Sequence, residues 1–151
     1  MMTRRASARD MRSHCTNRET RAAQQIGLSG NSFVTIWSVP EIELLEFLDP
    51  SGKSPFARWF DNLNAVAAAR VTIGLTRLRH GNFSNVESVG TGVSELKLDF
   101  GPGYRVYFGK DGERIVILLC GGTKKRQQDD IALASEYWQN YKRLKRSEPW
   151  R

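Results

Sequence analysis

Long apolar runs are missing from this sequence. Nowhere do the ~20 apolar residues of a bilayer-spanning helix occur together, which excludes a transmembrane chain. The unbroken apolar stretch of about 7–15 residues that a secretory signal needs is absent too. Cysteine occurs only as Cys15 and Cys120. Two thiols cannot build a disulfide framework, so the expected setting is reducing and cytoplasmic. Histidine is as scarce, with His14 near the N-terminus and His80 where a helix is expected to end as a helix-terminal cation. Cys/His spacing for zinc, a phosphate loop ending in GK[ST], a G-x-S-x-G elbow and a convincing carboxylate pair are all lacking. Metal-dependent and acyl-transfer chemistry are therefore not expected, and no cofactor is implied.

What is present fits one domain. The chain has 151 residues, 40% of them hydrophobic and 26% charged, enough for a single modest core. Its net charge of +7 is uneven, because residues 1–35 hold six arginines against Asp10 and Glu19 and so carry more than half of it. Total charge is thus a poor guide to partners. Residues 1–35, rich in Arg, Ala, Ser, Thr and Gln, read as a disordered or non-native basic extension. A nucleic-acid-binding arm and a targeting segment are the competing readings. The folded domain is expected over residues 36–147, with order starting near Phe33.

Two short apolar stretches, Phe33–Val39 and Ile42–Leu48, flank Pro40. The second also fits helical spacing, but its shortness and the turn cluster Asp49-Pro50-Ser51-Gly52 favour a strand. Ser54 as cap and Pro55 at the first helical position start a helix carrying Phe56, Trp59, Phe60 and Leu63. Asn64 caps a second helix from Ala65 to His80, with Val66, Ala69, Ile73 and Leu78 as its expected buried positions and Gly81 as its stop. Gly74 inside it costs about 1 kcal/mol relative to Ala and permits close packing on a neighbour.

The period then changes to two. Leu96, Leu98 and Phe100 alternate with Glu95, Lys97 and Asp99, as in a half-buried strand. Gly101-Pro102-Gly103 turns the chain into Tyr104–Phe108, and Lys110-Asp111-Gly112-Glu113 turns it again. Arg114–Cys120 is continuously apolar, as expected of a strand covered on both faces. A last helix from about Lys125 to Lys145 puts Ile131, Ala134, Tyr137, Trp138 and Tyr141 on one stripe. Trp37, Trp59 and Trp138 are expected in the core. The fold class is α+β: an antiparallel sheet, made of a three-strand C-terminal meander plus an N-terminal strand, packed by an N-terminal helix pair and carrying a C-terminal helix.

In an antiparallel meander the end of the first strand, the start of the second and the end of the third share one edge. Lys97, Arg105 and Lys124-Lys125-Arg126 are therefore expected to converge, with Tyr107 on the same polar face as Lys97 and Arg105. Such cations suit phosphate. The competing reading is a solvated face neutralised by Glu95, Asp99, Asp129 and Asp130. Cleavage of RNA through its own 2′-OH needs a base, cations for the charged phosphorane and an acid, roles that lysine and arginine can fill without a metal.

The stretch Val93-Ser94-Glu95-Leu96-Lys97-Leu98-Asp99-Phe100-Gly101-Pro102-Gly103-Tyr104-Arg105-Val106-Tyr107-Phe108, followed by Leu118-Leu119-Cys120-Gly121-Gly122-Thr123-Lys124-Lys125, resembles the RelE/ParE superfamily of type II toxins. Ser54–Phe60 and Gly90–Leu96 agree with its phage-derived, Gp49-like and HigB-like branch, and the resemblance spans about residues 38–146. It implies a toxin neutralised by an adjacent antitoxin, usually of helix-turn-helix type, and for RelE-like and HigB-like members an mRNA endoribonuclease acting at the ribosome. It further implies catalytic or phosphate-binding roles for Lys97, Arg105 and Lys125, with Lys124 and Arg126 adjacent. Where RelE-type nucleases place a catalytic tyrosine this chain has Ile131, which leaves a lysine or Tyr107 for proton transfer. Two alternatives stay open: a non-enzymatic, ParE-like gyrase inhibitor, and more distantly a plain RNA-binding module.

Overall fold

The computed structural model describes residues 4–5, 23–27, 33–37 and 40–148. Five strands make the body of one sheet: β4 (Glu43–Glu46), β5 (Val86–Gly90), β6 (Val93–Leu98), β7 (Tyr104–Asp111) and β8 (Ile115–Thr123). A two-residue strand β1 (Arg4–Arg5) completes it at the β4 edge, in the order β1-β4-β8-β7-β6-β5. Separately, β2 (Ala23–Gly27) pairs antiparallel with β3 (Phe33–Trp37). The rest of the expected 1–35 extension lies outside the described residues.

The meander from β6 to β8 is antiparallel as expected, and β4 supplies the expected N-terminal strand. That strand joins β8 in parallel, however, so the sheet is mixed at that side. The connection explains this: α1 (Pro55–Asp61), α2 (Ala65–Arg79) and three strands intervene between β4 and β8, leaving their relative direction free. One strand is not foreshadowed by the sequence pattern. β5 pairs antiparallel with β6 through the turn at Gly90–Gly92, but a register shift between Ser88 and Gly90 breaks the period of two that would have marked it.

Local chemistry accounts for the helices. Ser54 Oγ accepts the Ala57 N–H and Asn64 Oδ1 accepts the Ala67 N–H, each 2.9 Å, so both caps act as read. The buried face of α2 is rolled from the one expected. Ala67, Val71, Gly74, Leu75 and Leu78 face the sheet, while Val66, Ala69 and Ile73 are exposed. The small residues decide the roll. A Cβ on Gly74 would stand 2.6 Å from Leu98 Cδ2, so glycine lets the helix come down on β6 without moving that leucine side chain.

The sheet is covered on both faces. On one, α1 and α2 bury Phe56, Val71, Leu75 and Leu78 against Leu96, Val106, Phe108, Val116 and Leu118. On the other, α3 (Gln127–Ser147) lays Ala134, Trp138 and Tyr141 against Val93, Tyr107, Ile117 and Leu119, with Ile131 and Tyr137 partly buried. Gly109 makes room for the Trp138 ring. Trp138 is thus in the core as expected and Trp59 is half-buried; nothing is described of the Trp37 side chain. At its far end α3 is tied to the β7–β8 turn, where Asp111 accepts from Tyr141 Oη and from Lys145 Nζ at 2.6 Å.

Candidate functional site

The register brings the expected cations together. Lys97 is the cross-strand partner of Arg105, and Arg105 that of Gly122, two residues before Lys124. The Lys124 N–H donates to the Gly103 carbonyl at 2.7 Å, closing a 3-10 turn (Lys124–Arg126) over the start of β7. A side chain at position 103 would stand 3.3 Å from Lys124 Cβ and 3.7 Å from Arg105 Nη1. Gly103, at φ 78°, thus turns the chain and leaves the Arg105 fork open from that side. Lys124, Lys125 and Arg126 are exposed.

The face beneath them departs from expectation. The sequence predicts a solvated polar face for Lys97, Arg105 and Tyr107, but the N-terminal half of α3 lies across it. Tyr107 is fully buried and Arg105 is only 5% exposed. Burial, with Glu95 and Asp130 nearby, pushes the Tyr107 phenol well above its ordinary value. A group with no solvent-facing surface cannot touch an incoming substrate, which removes Tyr107 from the set of candidate proton carriers in this conformation.

What lies under α3 is a compact polar cluster. Glu95, 1% exposed, accepts two hydrogen bonds from Gln127 Nε2, at 3.0 and 2.9 Å, and Lys97 Nζ lies 3.9 Å away. Lys97 makes its shorter ion pair with Glu87, at 2.6 Å. Asp130 rests its carboxylate on Gly122, where any Cβ would collide with it. Burial raises the Asp130 pKa, Arg126 offsets part of that and Asp129 adds to it. Among the described residues Arg105 Nε, Tyr107 Oη and Asp130 Oδ2 have no hydrogen-bond partner. Arg105 Nη1 donates to the Tyr104 carbonyl at 3.1 Å and lies 3.6 Å from Asp99.

Both sequence readings of the patch are therefore partly realised. Glu95, Asp99 and Asp130 do lie among the cations, yet Lys124 and Lys125 form no ion pair among the described residues. Chemically, the edge offers a nearly buried guanidinium and three exposed cations, an arrangement suited to a phosphate group. Among the described residues no group of three or more His, Cys, Asp or Glu is placed to hold a metal ion, and no helix is long and apolar enough to cross a membrane. His80 caps α2 and faces Glu41 at 3.3 Å, away from this edge. Cys120, buried beneath α3, has its thiol pushed up to about 12 by burial, with Asp130 adding to it.

Sequence reasoning passes over Gln127 and the structural part played by Glu95 and Asp130. Their signal is faint: an isolated glycine pair, Gly121-Gly122, ahead of a polar helix start. No family model matches the chain. An uncharacterized protein of Haemophilus influenzae (strain ATCC 51907 / DSM 11121 / KW20 / Rd) is 44% identical to it over 80 residues, 52% of this chain and 81% of the relative. At that identity and coverage, the chain belongs to the same family as this Haemophilus protein.

Proposed function

We propose that the chain is the toxin of a type II toxin–antitoxin module of the RelE/ParE superfamily, in its phage-derived HigB-like branch. Its activity is metal-independent cleavage of mRNA at the ribosome, in the cytoplasm, held in check by an antitoxin encoded beside it. The observation that carries this reading is the convergence of Lys97, Arg105 and the Lys124–Arg126 turn at one end of the sheet.

In the reaction, the RNA 2′-OH attacks the neighbouring phosphorus and gives its proton to a base. The P–O5′ bond breaks and the leaving oxygen takes a proton, giving a 2′,3′-cyclic phosphate and a 5′-hydroxyl. Arg105, with Lys124 and Arg126, suits the phosphorane charge. Lys125, exposed and without an ion pair among the described residues, is the proton carrier that remains once Tyr107 is set aside. Lys97 acts through its cross-strand place beside Arg105.

The test is induced expression in a bacterial host lacking the antitoxin, with primer-extension mapping of cellular messages. Cuts within codons of translated mRNA, lost in Arg105→Ala and Lys125→Ala at equal soluble yield, support the proposal. Lys125→Ala carries more weight, because its side chain is exposed and its loss leaves the core untouched. The depth at which Arg105 and Tyr107 lie favours one second reading, a non-enzymatic gyrase inhibitor. Growth arrest with intact mRNA and a DNA-damage response would select it.

A further inference from the structure

On the opposite side of the same sheet end, an open groove of about 280 Å³ runs between α2 and the end of β6. It is lined by Arg70 and Arg77 of α2, by Asn82 and Asn85 from the loop that follows, and by Lys97, Asp99 and Phe100 at and just beyond the end of β6. Neither arginine forms an ion pair among the described residues, and α2 contains no acidic residue to oppose them. The guanidinium of Arg70 instead lies over the Phe100 ring, its Cζ 5.0 Å from the ring centroid. Beyond Phe100, Tyr104 follows at 6.4 Å in a stacked orientation of 25°, and Trp59 lies a further 6.4 Å on.

We propose that this groove is a subsite for single-stranded RNA, in which a base takes the face of Phe100 that the exposed Arg70 guanidinium covers in the free protein, and the displaced Arg70 and Arg77 meet the flanking phosphates. An aromatic ring bordered by guanidinium groups is the chemistry by which unpaired bases are held, since every base has a flat face and every linkage a negative charge. Size supports a single strand. A helix with its side chains is about 10–12 Å across, and a groove of about 280 Å³ seats a nucleotide far more readily than a partner helix or a duplex.

The path supports it as well. Phe100 stands at one end of the Gly101-Pro102-Gly103 turn, and Gly103 at the other abuts Lys124 and Arg105. A flexible strand crossing that turn would touch the groove on one face of the sheet and the cationic edge on the other; a rigid element could not follow the bend. Asp99, which also lines the groove, lies 3.6 Å from Arg105 Nη1 and pairs with neither groove arginine among the described residues. The substrate class rests on the RNA-cleaving proposal, and the test separates the two.

The probe is a short, fluorescently labelled single-stranded RNA with 2′-O-methyl groups throughout, which binds but has no free 2′-OH to react. Fluorescence anisotropy compares the full chain with Phe100→Ala, Phe100→Tyr and the double variant Arg70→Ala/Arg77→Ala. Loss of one stacked base should weaken binding about tenfold in Phe100→Ala, with Phe100→Tyr restoring it. The double variant should flatten the salt dependence by roughly 0.7 for each phosphate that is no longer neutralised. An abasic strand of equal length should bind the full chain and Phe100→Ala alike.

Equal binding by all variants would overturn the subsite, as would an abasic strand that binds as tightly as the normal one. So would a polyglutamate peptide whose binding, unlike that of RNA, depends on Arg70 and Arg77; the groove would then be a protein-docking surface. Both arginines are exposed, so the double variant guards against misfolding. Uncut messages in cells, with Phe100-dependent binding of the probe, would sink the nuclease proposal and keep the subsite. Messages cut at unchanged positions, with binding indifferent to every substitution, would do the reverse.

Discussion

Replacing Asp130 by asparagine should make this protein more stable at neutral pH. Asp130 is 9% exposed, its carboxylate lies where a side chain on Gly122 would stand, and one of its oxygens has no partner among the described residues. Burial raises the folded-state pKa above the unfolded one. Between those two values the native state binds the extra proton, so stability falls as pH rises through that window and stays lowered above it. Asparagine keeps a polar group there but removes the buried charge; an unsatisfied buried group costs about 1–3 kcal/mol, more when charged, and with Arg126 offsetting part of the difference the gain is about 1 kcal/mol. For a chain of 151 residues about 1 kcal/mol corresponds to roughly 2–4 °C in Tm. Thermal unfolding followed by circular dichroism should show Asp130→Asn melting higher than the wild type at pH 7. The gain should disappear at acid pH, where aspartate is protonated in both states. A variant that melts no higher at pH 7, or that keeps its advantage in acid, would refute the reasoning. The substitution also bears on the site. Asp130 covers Gly122, the cross-strand partner of Arg105, so its neutralisation should tighten the binding of a phosphate chain at this edge.

Tyr107→Phe should leave the proposed message cleavage unchanged, because the hydroxyl it removes is buried and unpartnered among the described residues; stability should hold or rise by about 1 kcal/mol. Loss of cleavage at unchanged Tm would return Tyr107 to the reaction. Gly121→Ala should lower Tm, since the new methyl group would enter the Trp59 ring and the overpacking costs about 1–3 kcal/mol. An unaltered melting curve would mean that α1 packs on β8 more loosely than described.

Much of the architecture is legible from local chemistry. Ser54 and Asn64 announce their helices, because an unpaired N–H at a helix start needs an oxygen within three residues and sequence spacing suffices to supply it. The Gly101–Gly103 turn sets the register that pairs Lys97 with Arg105, and the turn after β7 brings Gly122 opposite Arg105, so the gathering of cations at one edge can be read before any coordinates. β5 cannot be read, because its bulge at Ser88–Gly90 breaks the alternation that marks a strand. The roll of α2 is equally hidden. Which side of an alanine-rich helix is buried depends on what it lands on, here Leu96 and Leu98 beneath Gly74.

Apart from β5, the element types, the meander and the identity of the charged edge follow from turn chemistry and from periods a few residues long. What that edge is worth to a substrate was settled by long-range packing. By laying α3 across the face that carries Arg105 and Tyr107, it turned an expected open patch into a buried cluster bounded by Glu95, Gln127 and Asp130. It also placed Arg70 of α2 over Phe100 to make a groove that no stretch of sequence contains. The physical reason is common to both: burial depends on which face of one element meets which face of another, and residues far apart in the chain settle that together.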